Sequence, residues 1–147
     1  MNVYGLVTML ILSFCGRGNE DIIQPKTIDE MKLKITFGQT SLNATLYDNP
    51  TTRDLIDQLP FTTELEDYAG NEKIFYPAQK LTKDGAPSGY QPSAGDITYY
   101  APWGDVAIFY KDFSFASGLI SIGKIDDNGI ELLKNVGNQP VTFQLTE

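Results

Sequence analysis

Apolar and polar side chains alternate along several short stretches of this chain, which is the pattern of half-buried β-strands. The clearest stretches are MKLKITF at 31–37, TSLNATLY at 40–47 and FTTELEDY at 61–68. Further extended runs are predicted at 72–76, 79–82, 97–100, 105–110, 118–125 and 141–145. Turn-forming Gly, Pro, Asn and Asp separate these runs. The pattern therefore predicts a mainly β protein.

Two short helices are predicted among the strands. Asn49 is suited to cap a helix whose first turn holds Pro50, and apolar residues follow at helical spacing until Pro60 ends it. This helix would be about ten residues long and suited to covering one end of a barrel. A second helical turn is predicted at 130–134.

Several short motifs stand in the order seen in bacterial cyclophilin-like fold proteins. They are Asn49-Pro50-Thr51, Leu59-Pro60, Gly70-Asn71-Glu72-Lys73, Gly85-Ala86-Pro87, Ser93-Ala94-Gly95-Asp96, Tyr99-Tyr100-Ala101-Pro102-Trp103-Gly104 and Gly118-Leu119 with Gly123-Lys124-Ile125. Over residues 31–133 the chain thus resembles that family. Together with the strand pattern, the resemblance implies a closed cyclophilin-like β-barrel of about eight strands with one or two short helices. It implies no particular reaction, because the family has no settled activity to carry over.

The first residues predict an export signal. Residues 1–14 carry no charged side chain and precede Cys15, the only cysteine of the 147-residue chain. This run is too short to span a bilayer but matches a signal-peptide hydrophobic region. Because 12–15 resembles a bacterial lipobox, we predict lipidation at Cys15 and a lipid-anchored protein on the periplasmic or surface side of the cell envelope. A mis-assigned start codon or a buried N-terminal strand would explain the same run.

The remaining boundaries follow from composition. Residues 16–30 are polar, mixed in charge and without an apolar period, which predicts a flexible tether between the 1–15 signal and lipobox segment and the domain. Residues 31–147 are long enough for one ordinary hydrophobic core, so a single cyclophilin-like β-barrel domain is expected there.

Charge and residue usage exclude several classes of function. The chain has 19 acidic and 11 basic residues, a net charge of −8, and no dense Lys/Arg cluster, so nucleic acid is not an expected partner. Membrane contact is expected only through a lipidated N-terminus. Without histidine, no Ser-His or Cys-His nucleophile pair can form. The turn at 126–129 lacks the ligand spacing of a calcium loop, and we predict no metal and no cofactor.

Aromatic residues near loops are the candidates for a binding site. The turn-rich segment 83–95 predicts a long exposed loop carrying Tyr90, and the turn at 100–104 carries Tyr100, Pro102 and Trp103. Exposed rings offer apolar contact area at little entropic cost. We predict a groove bounded by this loop and this turn. The ligand-binding candidates are Tyr90, Tyr100, Pro102, Trp103, Arg53 and Glu72, and no catalytic residue is assigned.

Three functions remain open from the sequence. The leading one is a non-catalytic binding module whose ligand is a peptide or a small molecule. The second is an enzyme, either a divergent prolyl isomerase using Arg53 or a carboxylate catalyst using Glu72. The Phe-His-Arg motif of cyclophilin isomerases is absent, which argues against the isomerase. The third is a structural partner in an envelope complex. The position of Arg53 discriminates, since an isomerase needs it beside Tyr90 or Trp103 in an open pocket.

Overall fold

The computed structural model describes residues 31–146, which form eleven strands and two short helices. The strands are β1 (Lys32–Phe37), β2 (Thr40–Leu46), β3 (Phe61–Thr63), β4 (Glu66–Tyr68), β5 (Glu72–Phe75), β6 (Gly89–Tyr90), β7 (Asp96–Tyr100), β8 (Asp105–Phe109), β9 (Ala116–Ser117), β10 (Leu119–Ile125) and β11 (Val141–Leu145). The helices are α1 (Pro50–Ile56) and α2 (Gly129–Leu133). The mainly β prediction is confirmed. The predicted signal peptide, the tether and Cys15 lie outside the described residues.

Nine strands form one antiparallel sheet in the order β3-β11-β1-β2-β10-β7-β8-β5-β4. The sheet curls around the main core, but in the described residues no ladder joins β3 to β4, so it is open where a closed barrel was predicted. The cause lies in the stretch 61–68, predicted as one strand. It divides into β3, which pairs with β11, and β4, which pairs with β5. Leu65 lies between the two strands and is buried in the core.

The inner face of the curled sheet carries the main core. Alternation places every second side chain inward, as in β1, where Leu33, Ile35 and Phe37 are buried. Val106 and Ile108 of β8 are also fully buried and belong to the same cluster. The apolar positions of the period-2 pattern are therefore the side chains that point into the core of a half-barrel.

The helix α1 begins where the sequence predicts. The backbone N–H of Thr52 donates to the side-chain oxygen of Asn49 over 2.9 Å, and Pro50 occupies the first turn. The helix ends at Ile56, earlier than predicted, because the N–H groups of Gln58 and Leu59 bond to carbonyls three residues back, which tightens the last turn. No helix within residues 31–146 is long and apolar enough to cross a membrane.

Two loop predictions need correction. Residues 79–82 form no strand, and this segment is fixed instead by side-chain bonds, including the N–H of Thr82 donating to Asp54 over 2.6 Å. The predicted loop at 83–95 contains the short strand β6, which pairs with β9. The β6–β9 ribbon lies outside the main sheet.

Candidate functional site

A second, smaller apolar cluster lies on the outer face of β5, β8 and β10. Its buried members are Ile74, Ala107, Phe109 and Leu119. Because neighbours in a strand point to opposite faces, Ala107 and Phe109 face away from the main core that Val106 occupies. The ribbon residues Tyr90 and Ala116 pack against this cluster, so part of the outer face is covered.

A cavity of about 410 Å³ opens over this outer cluster. Ala107 forms part of its floor and stands between Ile74 and Thr98 in the strand register. Because Ala107 has a small side chain, it leaves space at the floor that a larger side chain at this position would fill. The lining residues come from strands β4, β5, β7, β8, β9 and β10 and from the segments between them: Tyr68, Ala69, Asn71, Glu72, Tyr100, Trp103, Ala107, Phe109, Phe113, Ala116 and Leu119.

Three aromatic rings form one corner of the cavity. The ring of Trp103 lies 5.4 Å from that of Tyr68 at 85°, and 5.4 Å from that of Tyr100 at 74°. Because these rings meet nearly at right angles, they leave an angled space between them, which rings stacked flat on one another would fill. Trp103 is 49% exposed, so the corner is open to solvent. Across the cavity Phe113 stacks on Phe109, with ring centroids 6.1 Å apart.

Backbone bonds in the 100–104 turn hold Trp103 in this corner. The N–H groups of Trp103 and Gly104 both donate to the carbonyl of Tyr100, over 3.2 and 2.8 Å. The N–H of Ala101 donates to the carbonyl of Gly118 over 3.0 Å, which ties the turn to the strand that follows the ribbon. The tryptophan is thus presented by a braced turn.

Two carboxyl groups give the site its electrostatic character. Glu72 lines the cavity between Tyr68 and Phe109 in the register, and burial together with the charge of Asp105 raises the pKa of Glu72 to about 7. Asp105 is 1% exposed, and one of its carboxylate oxygens, Oδ1, has no hydrogen-bond partner among the described residues. Burial raises the pKa of Asp105 as well. None of the described lining residues is basic.

The structure brings three of the six predicted ligand-binding residues together. Tyr100, Trp103 and Glu72 all line the large cavity. Pro102 belongs to the same turn but packs against Gly118, where an added Cβ would lie 2.8 Å from the proline Cδ.

The other two predicted residues lie elsewhere. The hydroxyl of Tyr90 donates to Asp96 over 2.7 Å, and Tyr90 borders a separate cavity of about 180 Å³ beside α1. Arg53 is exposed on α1 and pairs with Asp48. Arg53 is not among the residues that line the large cavity, so it does not belong to the aromatic corner around Trp103.

The predicted groove between the 83–95 loop and the 100–104 turn corresponds to a different, smaller pocket. That pocket has about 220 Å³ and is formed by loop residues such as Pro87 together with Ala101 and Gly118. In the large cavity, the wall opposite the 100–104 turn is formed by residues from 68–72 and 109–116, and not by the 83–95 loop.

Three residues of the large cavity, namely Tyr68, Ala107 and Phe109, were not assigned from the sequence. The only sequence signal for the cavity floor was one small residue, Ala107, within the apolar run DVAIF at 105–109.

Within residues 31–146, no three His, Cys, Asp or Glu side chains are grouped closely enough to hold a metal ion.

Comparison with known proteins identifies the family. The model of the Cyclophilin-like family matches residues 35–146. This chain belongs to the cyclophilin-like family. No curated protein matches this cyclophilin-like chain. Among solved structures it is similar to the solution structure of the hypothetical protein AF2241 from Archaeoglobus fulgidus, with a TM-score of 0.63 and 24% sequence identity over 82% of this chain and 98% of that one. At that identity the likeness shows the fold of the cyclophilin-like protein and no activity.

Proposed function

We propose that this cyclophilin-like protein is a non-catalytic binding module whose cavity takes a small molecule or one side chain of a peptide. The observation that carries the proposal is the open corner of Tyr68, Tyr100 and Trp103 above the small residue Ala107. Ligand sites combine concave apolar walls with a few polar groups, and Glu72 supplies such a group here. The volume suits a ligand the size of one aromatic ring with a short substituent.

The position of Arg53 argues for binding over isomerisation. A prolyl isomerase of the cyclophilin type needs a guanidinium within an aromatic pocket, whereas Arg53 is exposed and paired with Asp48. An enzyme that uses Glu72 is the second candidate, because a carboxyl group with a pKa of about 7 can give and accept protons near neutral pH. Conversion of a bound ligand, lost in Glu72→Gln, would favour that candidate.

The single tryptophan makes the binding proposal measurable. Trp103 is the only tryptophan of the chain, so its emission reports on the cavity alone. We expect 2-phenylethanol, a neutral aromatic probe, to shift the emission of the full chain saturably and to protect Trp103 from acrylamide quenching. In parallel, NMR should show shifts of Ala107 and Phe109 amides.

Matched variants test whether the effect belongs to the cavity. Ala107→Leu, which fills the floor, should abolish the saturable shift. Tyr76→Ala removes an aromatic ring that is 57% exposed but does not line the cavity, and it should leave binding unchanged. If neither 2-phenylethanol nor charged analogues of it perturb Trp103 or the floor amides, the binding-module proposal is wrong.

The proposed location is the cell envelope, with Cys15 as a lipid anchor. Support comes from the uncharged run at 1–14 and the lipobox-like residues at 12–15. Metabolic labelling with an alkyne-bearing fatty acid in a bacterial host should modify the full chain, and Cys15→Ser should remove the label. Equal labelling of both forms would overturn the anchoring proposal without affecting the cavity.

A further inference from the structure

We propose that the large cavity selects organic cations, namely ligands with an ammonium group attached to an aromatic or short alkyl body. The inference rests on the proposed binding function and names the ligand class of the same site. It follows from the charges left unpaired at the cavity and from the geometry of the aromatic corner.

The first observation is a charge imbalance at the cavity. Glu72 lines the wall, and Asp105 lies on the same face of β8 as the floor residue Ala107. Neither carboxylate forms an ion pair with a described Lys or Arg side chain. The neighbouring Lys73 is already paired with Asp67, 3.2 Å from it. Glu72 is half-buried and lines the cavity, so its carboxylate is partly desolvated, and a cationic ligand in the cavity recovers part of that cost.

The second observation is the aromatic corner. A cation over a tryptophan or tyrosine face is attracted by the ring quadrupole, and the attraction grows when the site is partly desolvated. The rings of Tyr68 and Tyr100 each meet the ring of Trp103 nearly at right angles, and all three residues line the cavity. Such a corner surrounds an ammonium group on several sides, while Phe109 and Phe113 supply an apolar surface for the body of the ligand.

The groups around Glu72 give the inference a pH dependence with a definite sign. The titratable side chains on the elements next to Glu72 include Glu66, Asp67 and Tyr68 of β4, Lys73 of β5, Tyr100 of β7, Asp105 of β8 and Tyr110 just after β8. Burial is the larger cause of the raised pKa of Glu72, and among these groups Asp105 adds to it by its charge. A bound cation favours the ionised form of Glu72, so cation affinity should rise as the pH increases through about 7. An anionic ligand should show the opposite trend.

Three probes of similar shape and different charge test the inference. Phenethylamine, 2-phenylethanol and 3-phenylpropionate would be titrated into the full chain at pH 6 and pH 8, with Trp103 emission and NMR shifts as readouts. At pH 8 we expect the amine to bind about tenfold more tightly than the alcohol. The advantage should shrink at pH 6, and the propionate should bind most weakly at pH 8.

Two carboxylate variants make the test specific. Glu72→Gln should remove most of the advantage of the amine over the alcohol, together with its pH dependence. Unchanged amide signals of Ala107 and Phe109 in the ligand-free variant show that the cavity is intact. Glu66→Gln changes an exposed carboxylate of β4 that does not line the cavity, and it should change nothing. If the alcohol binds as well as the amine at pH 8, cation selectivity is overturned and the binding module stands. If no probe binds, both proposals fall.

Discussion

Thr63 ends one edge strand of the nine-stranded sheet and Glu66 begins the opposite edge strand, with only Glu64 and Leu65 between them. Three peptide steps span at most about 11 Å, so the chain itself holds the two edges close together. Leu65 is 3% exposed and packs into the main core at this seam. The gap in the sheet is therefore bridged by a covalent link and one buried side chain, where a closed barrel would have a hydrogen-bonded ladder.

Leu65→Ala should destabilise the protein by about 2–4 kcal/mol. It leaves a cavity at the seam, where the described residues form no hydrogen-bonded ladder between β3 and β4 to hold the two edges together. Chemical denaturation monitored by circular dichroism measures this change. Leu132→Ala is the control, since Leu132 is 52% exposed on α2 and its truncation should cost less than about 0.5 kcal/mol. Equal costs for the two variants would show that Leu65 does not secure the seam.

Glu72 should make the free energy of unfolding fall as the pH rises from about 4.5 to about 7. Its folded pKa of about 7 exceeds the ordinary 4.5, so the native state binds the proton more tightly, and stability declines until Glu72 is ionised in both states. After allowance for solvent screening, the decline is about 2 kcal/mol. Glu72→Gln should remove this component, so it should stabilise the protein at pH 8 and have little effect at pH 4. A variant that shows the same pH profile as the wild type would contradict this prediction.

Gly118→Ala should cost more than 1 kcal/mol, on the order of the larger backbone effects. Gly118 has a φ of +81°, and an added Cβ would meet Pro102 at 2.8 Å, so the variant should also displace the turn that carries Trp103. The measurements are denaturation and the emission maximum of Trp103. Gly137→Ala is the matched control, since Gly137 has a φ of +66° but no atom near the added Cβ. Gly137→Ala should strain the backbone without shifting the emission maximum of Trp103. A shift of that maximum in both variants would show that the effect of Gly118→Ala is not local to the turn.

Arg53→Ala should leave probe binding unchanged and lower stability by no more than about 1 kcal/mol, because its ion pair with Asp48 is exposed. A protease-coupled proline isomerisation assay on both forms should show no activity that depends on Arg53. Isomerase activity that disappears in the variant would overturn the binding-module proposal and identify a divergent isomerase.

Part of the candidate site could be predicted from the sequence because it is local. Tyr100 and Trp103 belong to one turn, and turn-forming residues around aromatic side chains already indicated a ligand surface. Tyr68 could not be joined to them in the same way. It reaches Trp103 only because β4 pairs with β5 and β5 with β8, and those pairings bring together distant parts of the chain.

Features that depend on neighbouring residues could be predicted from the amino-acid pattern alone. Alternation fixed most strands, and Asn49 with Pro50 fixed the start of α1, since these follow from side-chain direction and local hydrogen bonding. The open seam at Leu65, the cavity above Ala107 and the raised pKa of Glu72 follow from tertiary contacts. Each of these features depends on which distant strands pair and which side chains then exclude water from the seam or the cavity. Alternation along one strand does not specify which other strands it pairs with.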